Sequence, residues 1–212
     1  MSQQLHFISL NDTFIHEIKK LFPQSIAEVG RVENIPREGH IFMSPANCLG
    51  FMDGGIDLAL SRNIFPGIEL EPVVKREIRE LGLLTNLGRP YLPIGSAILI
   101  PRSNSGMISA PTMFLPHNVS ETRNAYWAAL AAFRVFRKYY GRSMDHTLVL
   151  TSLCCGYGQM DEARSAAQIR EAYDDFLSGK VPIDSSSSRT IVLQPLVNHE
   201  QPKNFDNREI QE

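Results

Sequence analysis

The sequence predicts an α/β protein, a sandwich built on a largely parallel sheet. Three observations carry this. Strand-like and helix-like apolar patterns alternate along the chain. The strand candidates include short apolar runs such as Ile41-Phe42-Met43, the pattern of strands buried on both faces. Two glycine-containing loops, Asn47 to Gly55 and Cys154 to Gly158, each leave a strand end and enter a helix. In sheets of this class ligands bind at the carboxyl ends of the strands.

Taken in order, Leu5 to Leu10 reads as a strand. Asn11 or Asp12 caps a helix whose apolar face holds Phe14, Ile15, Ile18 and Phe22, ended by Pro23. Ala27 to Ile35 reads as a second strand, and Ile41 to Ser44 as a third. A helix begins near Asp57. Pro72 suits the first turn of another, with Val74, Ile78 and Leu81 at helical spacing. Gly82 to Pro90 is loop-like. Ile94 to Ile100 and Met107 to Thr112 read as strands joined by a polar turn at Ser103 to Gly106. A long helix follows from Ser120 to Tyr140, with Tyr126, Leu130, Phe133 and Phe136 on its apolar face. Its Arg134, Arg137 and Lys138 read as a solvated face near the C-terminal end, where cations suit the macrodipole. His146 to Ser152 is a buried strand, and Asp161 opens a last helix through Ala163, Ala166, Ile169, Tyr173 and Phe176.

After Gly179 the composition shifts to a serine run and a polar, charged end. The expected organisation is one domain over residues 1–180 and a tail over 181–212. Thr190 to Leu196 is an edge strand or docked segment of that tail, and its last dozen residues are disordered.

The chain has 212 residues, 43% of them hydrophobic, enough for one domain with a sizeable core. A formal charge of -2 lacks the basic footprint of a nucleic-acid binder or a polybasic membrane anchor. The N-terminus lacks a basic and long apolar leader, and no apolar run approaches a membrane span. Three cysteines, an odd number, do not make a disulfide framework, so a reducing cytoplasmic or nuclear compartment is expected. Adjacent Cys154 and Cys155 lack the spacing of a metal or redox pair and read as small residues buried at a strand end; neither metal nor cofactor is expected.

The chemistry concentrates in Ser44 to Asp57. A strand ends there, a loop with Gly54 and Gly55 follows, and a helix starts, so backbone N–H groups converge as they do around phosphate. The same loop carries Asn47, Asp53 and Asp57. Asp57 reads both as a first-turn helix carboxylate and as a ligand group; Asp53 reads both as a turn residue and as a ligand group. Phe51 reads as core rather than lid, and Tyr157 as the better candidate to cover a ligand. His117 reads as a surface loop histidine. Two anion-favouring loops at one sheet edge suit a diphosphate better than a single phosphate.

The spacing Ala46-Asn47, nine residues, Asp57, with Gly54-Gly55-Ile56 before the aspartate, resembles the first ligand loop of macrodomains. Gly156-Tyr157-Gly158 before Glu162-Ala163 resembles their phosphate loop. Val32 to Ile35 sits where macrodomains carry glycine-aspartate-isoleucine. Ser109 to Met113, then Val119-Ser120 and the long helix, resemble a divergent macrodomain-like group partly labelled phage tail protein. The resemblance covers Leu5 to Leu177. It implies a three-layer α/β/α sandwich with a mixed, largely parallel central sheet, and an ADP-ribose site.

By that resemblance Asn34 and Ile35 lie near the adenine. Ala46, Asn47, Gly54, Gly55 and Ile56 flank the distal ribose and diphosphate, and Cys155, Gly156, Tyr157 and Gly158 wrap the diphosphate from the other side. Asp57 closes the first loop. The expected partner is ADP-ribose or an ADP-ribosylated substrate. The expected activity is hydrolysis of an ADP-ribosyl or ADP-ribose phosphate ester bond, with Asp57 leading, Asp53 second and Asn47 positioning the ribose. A non-catalytic reader and a structural protein that keeps the fold without ligand are the alternatives. The chain departs from the family pattern at Ser44 (asparagine is usual), Asn34 (aspartate), Asp53 (inside the glycine run), Ser61 (histidine in one hydrolytic class) and Gly158-Gln159 (an aromatic-glycine pair).

Overall fold

Alternation of apolar side chains along each strand sorts the core into two halves, one on each face of the sheet. Leu5 and Phe7 of β1 (Leu5–Ser9) face one side and Ile8 the other. In β3 (His40–Ser44), Ile41 and Met43 oppose Phe42, and in β6 (Thr147–Leu150), Leu148 and Leu150 oppose Val149. This two-residue period requires helices on both faces. The computed structural model describes residues 4–141, 145–179 and the backbone of β7 (Thr190–Val192).

On the first face lie α1 (Asp12–Leu21), α4 (Asn124–Tyr140) and α5 (Glu162–Ser178), packed through Phe14, Ile18, Phe133, Ile169 and Phe176. On the second lie α2 (Gly55–Ala59), which runs on as a π-helical segment over Leu60–Ile64, and α3 (Leu70–Glu80), packed through Leu60, Val74 and Ile78. The result is a three-layer α/β/α sandwich.

The sheet has the order β2-β1-β6-β3-β5-β4-β7, with β2 spanning Ile26–Val29, β4 Ser96–Arg102 and β5 Ser105–Ser109. The first five strands in that order are mutually parallel; β4 pairs antiparallel with β5 and with β7. Strands β1, β2, β3, β5 and β6 therefore all end at one edge, which gathers the segments after Ser9, Val29, Ser44, Ser109 and Leu150.

Two sequence expectations change. The second strand ends at Val29, and Val32–Asn34 form a 3-10 turn instead of strand. Arg134, expected in a solvated face, is buried, because α4 is enclosed by α5, β4, β5 and β7. Burial lowers its pKa. The backbone of Thr190–Val192 forms strand at the sheet edge; the rest of the tail, including residues 193–196, lies outside the described residues.

Candidate functional site

The loop after β3 is held before it reaches any ligand. Ala110 N–H donates to Ser44 carbonyl oxygen (3.0 Å), Thr112 N–H to Ala46 carbonyl oxygen (2.9 Å), and Thr112 Oγ1 to Pro45 carbonyl oxygen (3.0 Å). The Asn47 side chain folds back on its own loop. Its Oδ1 accepts from Leu49 N–H (3.0 Å) and Phe51 N–H (3.3 Å), and its Nδ2 donates to Phe51 carbonyl oxygen (3.3 Å). Gly50 has a positive φ of 76°, and a Cβ there would sit 2.8 Å from Ile78 Cδ1, so glycine lets the loop lie directly on α3. Glu71 Oε2 accepts from Met52 N–H (2.8 Å) while Lys75 holds its other oxygen (2.7 Å).

The loop then opens at Gly54 and Gly55, where an added Cβ would meet nothing within 4 Å. Among the described residues the N–H groups of Gly54, Gly55 and Ile56 find no acceptor, and all three residues line a cleft of 820 Å³ at the sheet edge.

The second loop lines the same cleft. Ser165, buried in α5, accepts from Leu153 N–H and donates to Leu153 carbonyl oxygen, fixing where the chain leaves β6. Cys154 and Gln159 take left-handed backbone conformations, with φ of 66° and 55°. Non-glycine residues rarely hold that region, and it clusters at sites the surroundings over-determine. Met160 N–H to Cys154 carbonyl oxygen (3.0 Å) and Gln159 N–H to Gly156 carbonyl oxygen (3.0 Å) close the loop on itself. Gly158 is pressed against the chain: a Cβ would collide with the Cys154 carbonyl oxygen and lie 2.7 Å from Val119 Cγ2. Gly156, by contrast, opens on empty space. The N–H groups of Gly156, Tyr157 and Gly158 also find no acceptor among the described residues. The N-terminus of α5 itself is taken, since Asp161 caps it by accepting from Arg164 N–H (3.0 Å).

Asp57, in the first turn of α2, lines the same cleft. Ser44, fully buried at the end of β3, donates through Oγ to Asp57 Oδ1 at 2.6 Å. Asp57 is half-buried and borders the cleft. Removal from water pushes its pKa up from 3.8 to about 7; the Ser44 hydroxyl opposes this, and the nearby Asp53 charge adds to it. Asp53 is exposed on the rim.

Of the residues singled out in the sequence, Ala46, Asn47, Asp53, Gly54, Gly55, Ile56, Asp57, Cys155, Gly156, Tyr157 and Gly158 all line this cleft. Asn34 and Ile35 do not. Ile35 is buried in the core, and the preceding Gly30, Arg31, Val32 and Glu33 face the cleft instead. Phe51, read as core, is half-buried on the cleft wall with Lys75 Nζ 4.0 Å above its ring. Tyr157 is 73% exposed at the mouth. His117 does not line the cleft, though its neighbour Pro116 does; its Nδ1 lies 2.5 Å from Leu115 carbonyl oxygen.

Sequence reasoning missed Ser9, Leu10, Asn11 and Glu162. They enter because β1 neighbours β6, so the segment after β1 meets the start of α5. Asn11 caps α1 through Oδ1, and its Nδ2 donates to Glu162 Oε1 at 3.0 Å. Burial raises the Glu162 pKa, and it drives those of Cys48, Cys154 and Cys155 well above the usual thiol range, so none of the three cysteines is an activated nucleophile. Among the described residues no cluster of three or more His, Cys, Asp or Glu could hold a metal ion. Likewise, no helix there is long and apolar enough to cross a membrane.

No protein-family model matches the chain, and no curated protein does. A solved structure, the macrodomain of Mycobacterium tuberculosis DarG, superposes with a TM-score of 0.51 at 18% identity, covering 69% of this chain and 87% of that one. That likeness bears on the fold and does not reach the group labelled phage tail protein. The three layers, the strand order and this superposition together give the chain the macrodomain fold.

Proposed function

We propose that the cleft binds ADP-ribose and hydrolyses an ADP-ribosyl or ADP-ribose phosphate ester bond. The observation that carries this reading is that two sets of unspent backbone N–H groups, Gly54 to Ile56 and Gly156 to Gly158, line one cleft together with Asp57. Two N–H sets suit the two phosphates of a diphosphate. The base end falls beside Leu10, Arg31 and Glu33, where the Glu33 carboxylate, next to Asn34, accepts from an amino group. Tyr157 covers the ligand at the mouth.

Hydrolysis at the anomeric carbon needs a water activated beside the distal ribose. Asp57, with a pKa near neutrality, is matched to that task. Burial, with a smaller contribution from the Asp53 charge on the rim, keeps Asp57 partly protonated, and Asn47 shapes the loop that presents the ribose. The reader alternative has one observation in its favour: the Asn47 amide is already spent within its own loop.

Calorimetric titration with ADP-ribose is expected to give saturable heat; no heat at millimolar ligand overturns the binding reading. Incubation with ADP-ribosylated protein is expected to release ADP-ribose, with turnover lost in Asp57→Ala. Binding without release assigns the chain to the readers.

A further inference from the structure

We propose that Ser44 is the positioning residue that makes Asp57 a one-sided base: its hydroxyl occupies Oδ1 and leaves Oδ2 as the oxygen that meets the ligand and its water. The inference rests on the hydrolytic reading of the cleft and adds the device that aims its central carboxylate.

The geometry is specific. Ser44 is fully buried on the last residue of β3, and its backbone is fixed in the sheet by the pairing Ser44↔Ser109. A hydroxyl has one proton to give, and this one goes to Asp57 Oδ1 at 2.6 Å, the short distance of a bond to a charged acceptor. Among the described residues Asp57 Oδ2 has no protein partner and is not sealed from the cleft. Because Oδ1 already accepts the serine proton, any proton the carboxyl gains resides on Oδ2. The charged groups lining the cleft with it are Asp53 on the same loop, Arg31 and Glu33 from the segment packed against α2, and Glu162 at the start of α5.

The step balances without a further reagent. Water oxygen forms its bond to the anomeric carbon as the bond from that carbon to the acceptor oxygen breaks. The water proton passes to Asp57 Oδ2 and is then handed to the departing acceptor oxygen. Serine at position 44, a departure from the family pattern, thereby becomes part of this site.

The test compares Ser44→Ala and Ser44→Thr with the unaltered chain in turnover of ADP-ribosylated protein across pH 5.5 to 9. Carboxyl carbon NMR titration of Asp57 gives a readout that does not depend on turnover. Losing a donor to the carboxylate favours its protonated form. Ser44→Ala is therefore expected to move the acid limb of the profile, and the Asp57 midpoint, upward by about one pH unit. That shift is about a tenfold loss of kcat below the limb, with KM little changed and rates converging at pH 9. Ser44→Thr, which keeps a hydroxyl, is expected to return the limb toward its original position. A uniform loss with an unmoved limb and an unmoved Asp57 midpoint overturns the role of Ser44 while leaving the hydrolytic reading intact. Absence of turnover by the unaltered chain overturns that reading itself.

Discussion

Asp57 is held at a cost to the fold, and the sign of that cost follows from its pKa. The carboxyl binds its proton more tightly in the folded state, where its pKa is about 7, than at its ordinary 3.8. Between those values the folded chain carries more bound proton than the unfolded one, so stability falls as pH rises. Above about 7 both states are ionised and the full penalty stands. Asp57→Asn removes it while leaving an oxygen to accept from Ser44. Chemical denaturation is expected to find this variant about 1–2 kcal/mol more stable than the unaltered chain at pH 8, with the gain vanishing toward pH 4. The second loop gives a paired test of close packing. In Gly158→Ala the new methyl meets the Cys154 carbonyl and Val119, and a loss of about 1–3 kcal/mol is expected with weakened ADP-ribose binding. In Gly156→Ala the methyl enters open cleft, and a stability change within about 0.5 kcal/mol is expected. Denaturation midpoints of the two variants separate packing from ligand contact.

The helices show which local signals carried over into structure. A cap at Asn11 or Asp12 is legible because the pair precedes an apolar helical face, and the structure assigns it to Asn11, which accepts from Thr13 and Phe14 N–H. Its bond to Glu162 was not legible, since 151 residues separate them in the chain and the strand order joins them. Asn11→Ala therefore loses a two-donor cap and a cross-link between α1 and α5. It is expected to cost about 1–2 kcal/mol, more than Asp161→Ala, whose cap holds a single N–H; urea melts of the two variants decide. The misreading after β2 has a physical cause. Val29, Val32 and Ile35 are β-branched and favour strand, but Val32 and Ile35 are three residues apart, the repeat of a 3-10 turn, and both bury into the second core half. Arg134 was misread because its neighbours in sequence are cationic, whereas its environment is set by α5 and the sheet edge.

Across the whole molecule, burial is what sets the state of the thiols. Cys48 and Cys154 are buried and Cys155 is half-buried against the Leu153 carbonyl and α5, and burial holds all three protonated at pH 8. Iodoacetamide is expected to leave the native chain unlabelled at that pH and to modify all three cysteines once urea unfolds it; rapid native labelling of Cys155 would show an open second loop.

The apolar periodicities, the caps and the two glycine loops follow from local chemistry, so the sequence by itself determined the alternating α/β class, most element positions and the two loops that line the cleft. The three-layer arrangement came with the macrodomain resemblance of the two loops. What the tertiary structure alone decided is how remote segments meet. Placing β1 beside β6 brought Leu10, Asn11 and Glu162 to the cleft. The register of β3 set Ser44 under Asp57, and the turn after β2 offered Glu33 to the cleft in place of Asn34. Strand order and register arise from packing many distant apolar side chains at once, and no local pattern encodes which two segments will become neighbours.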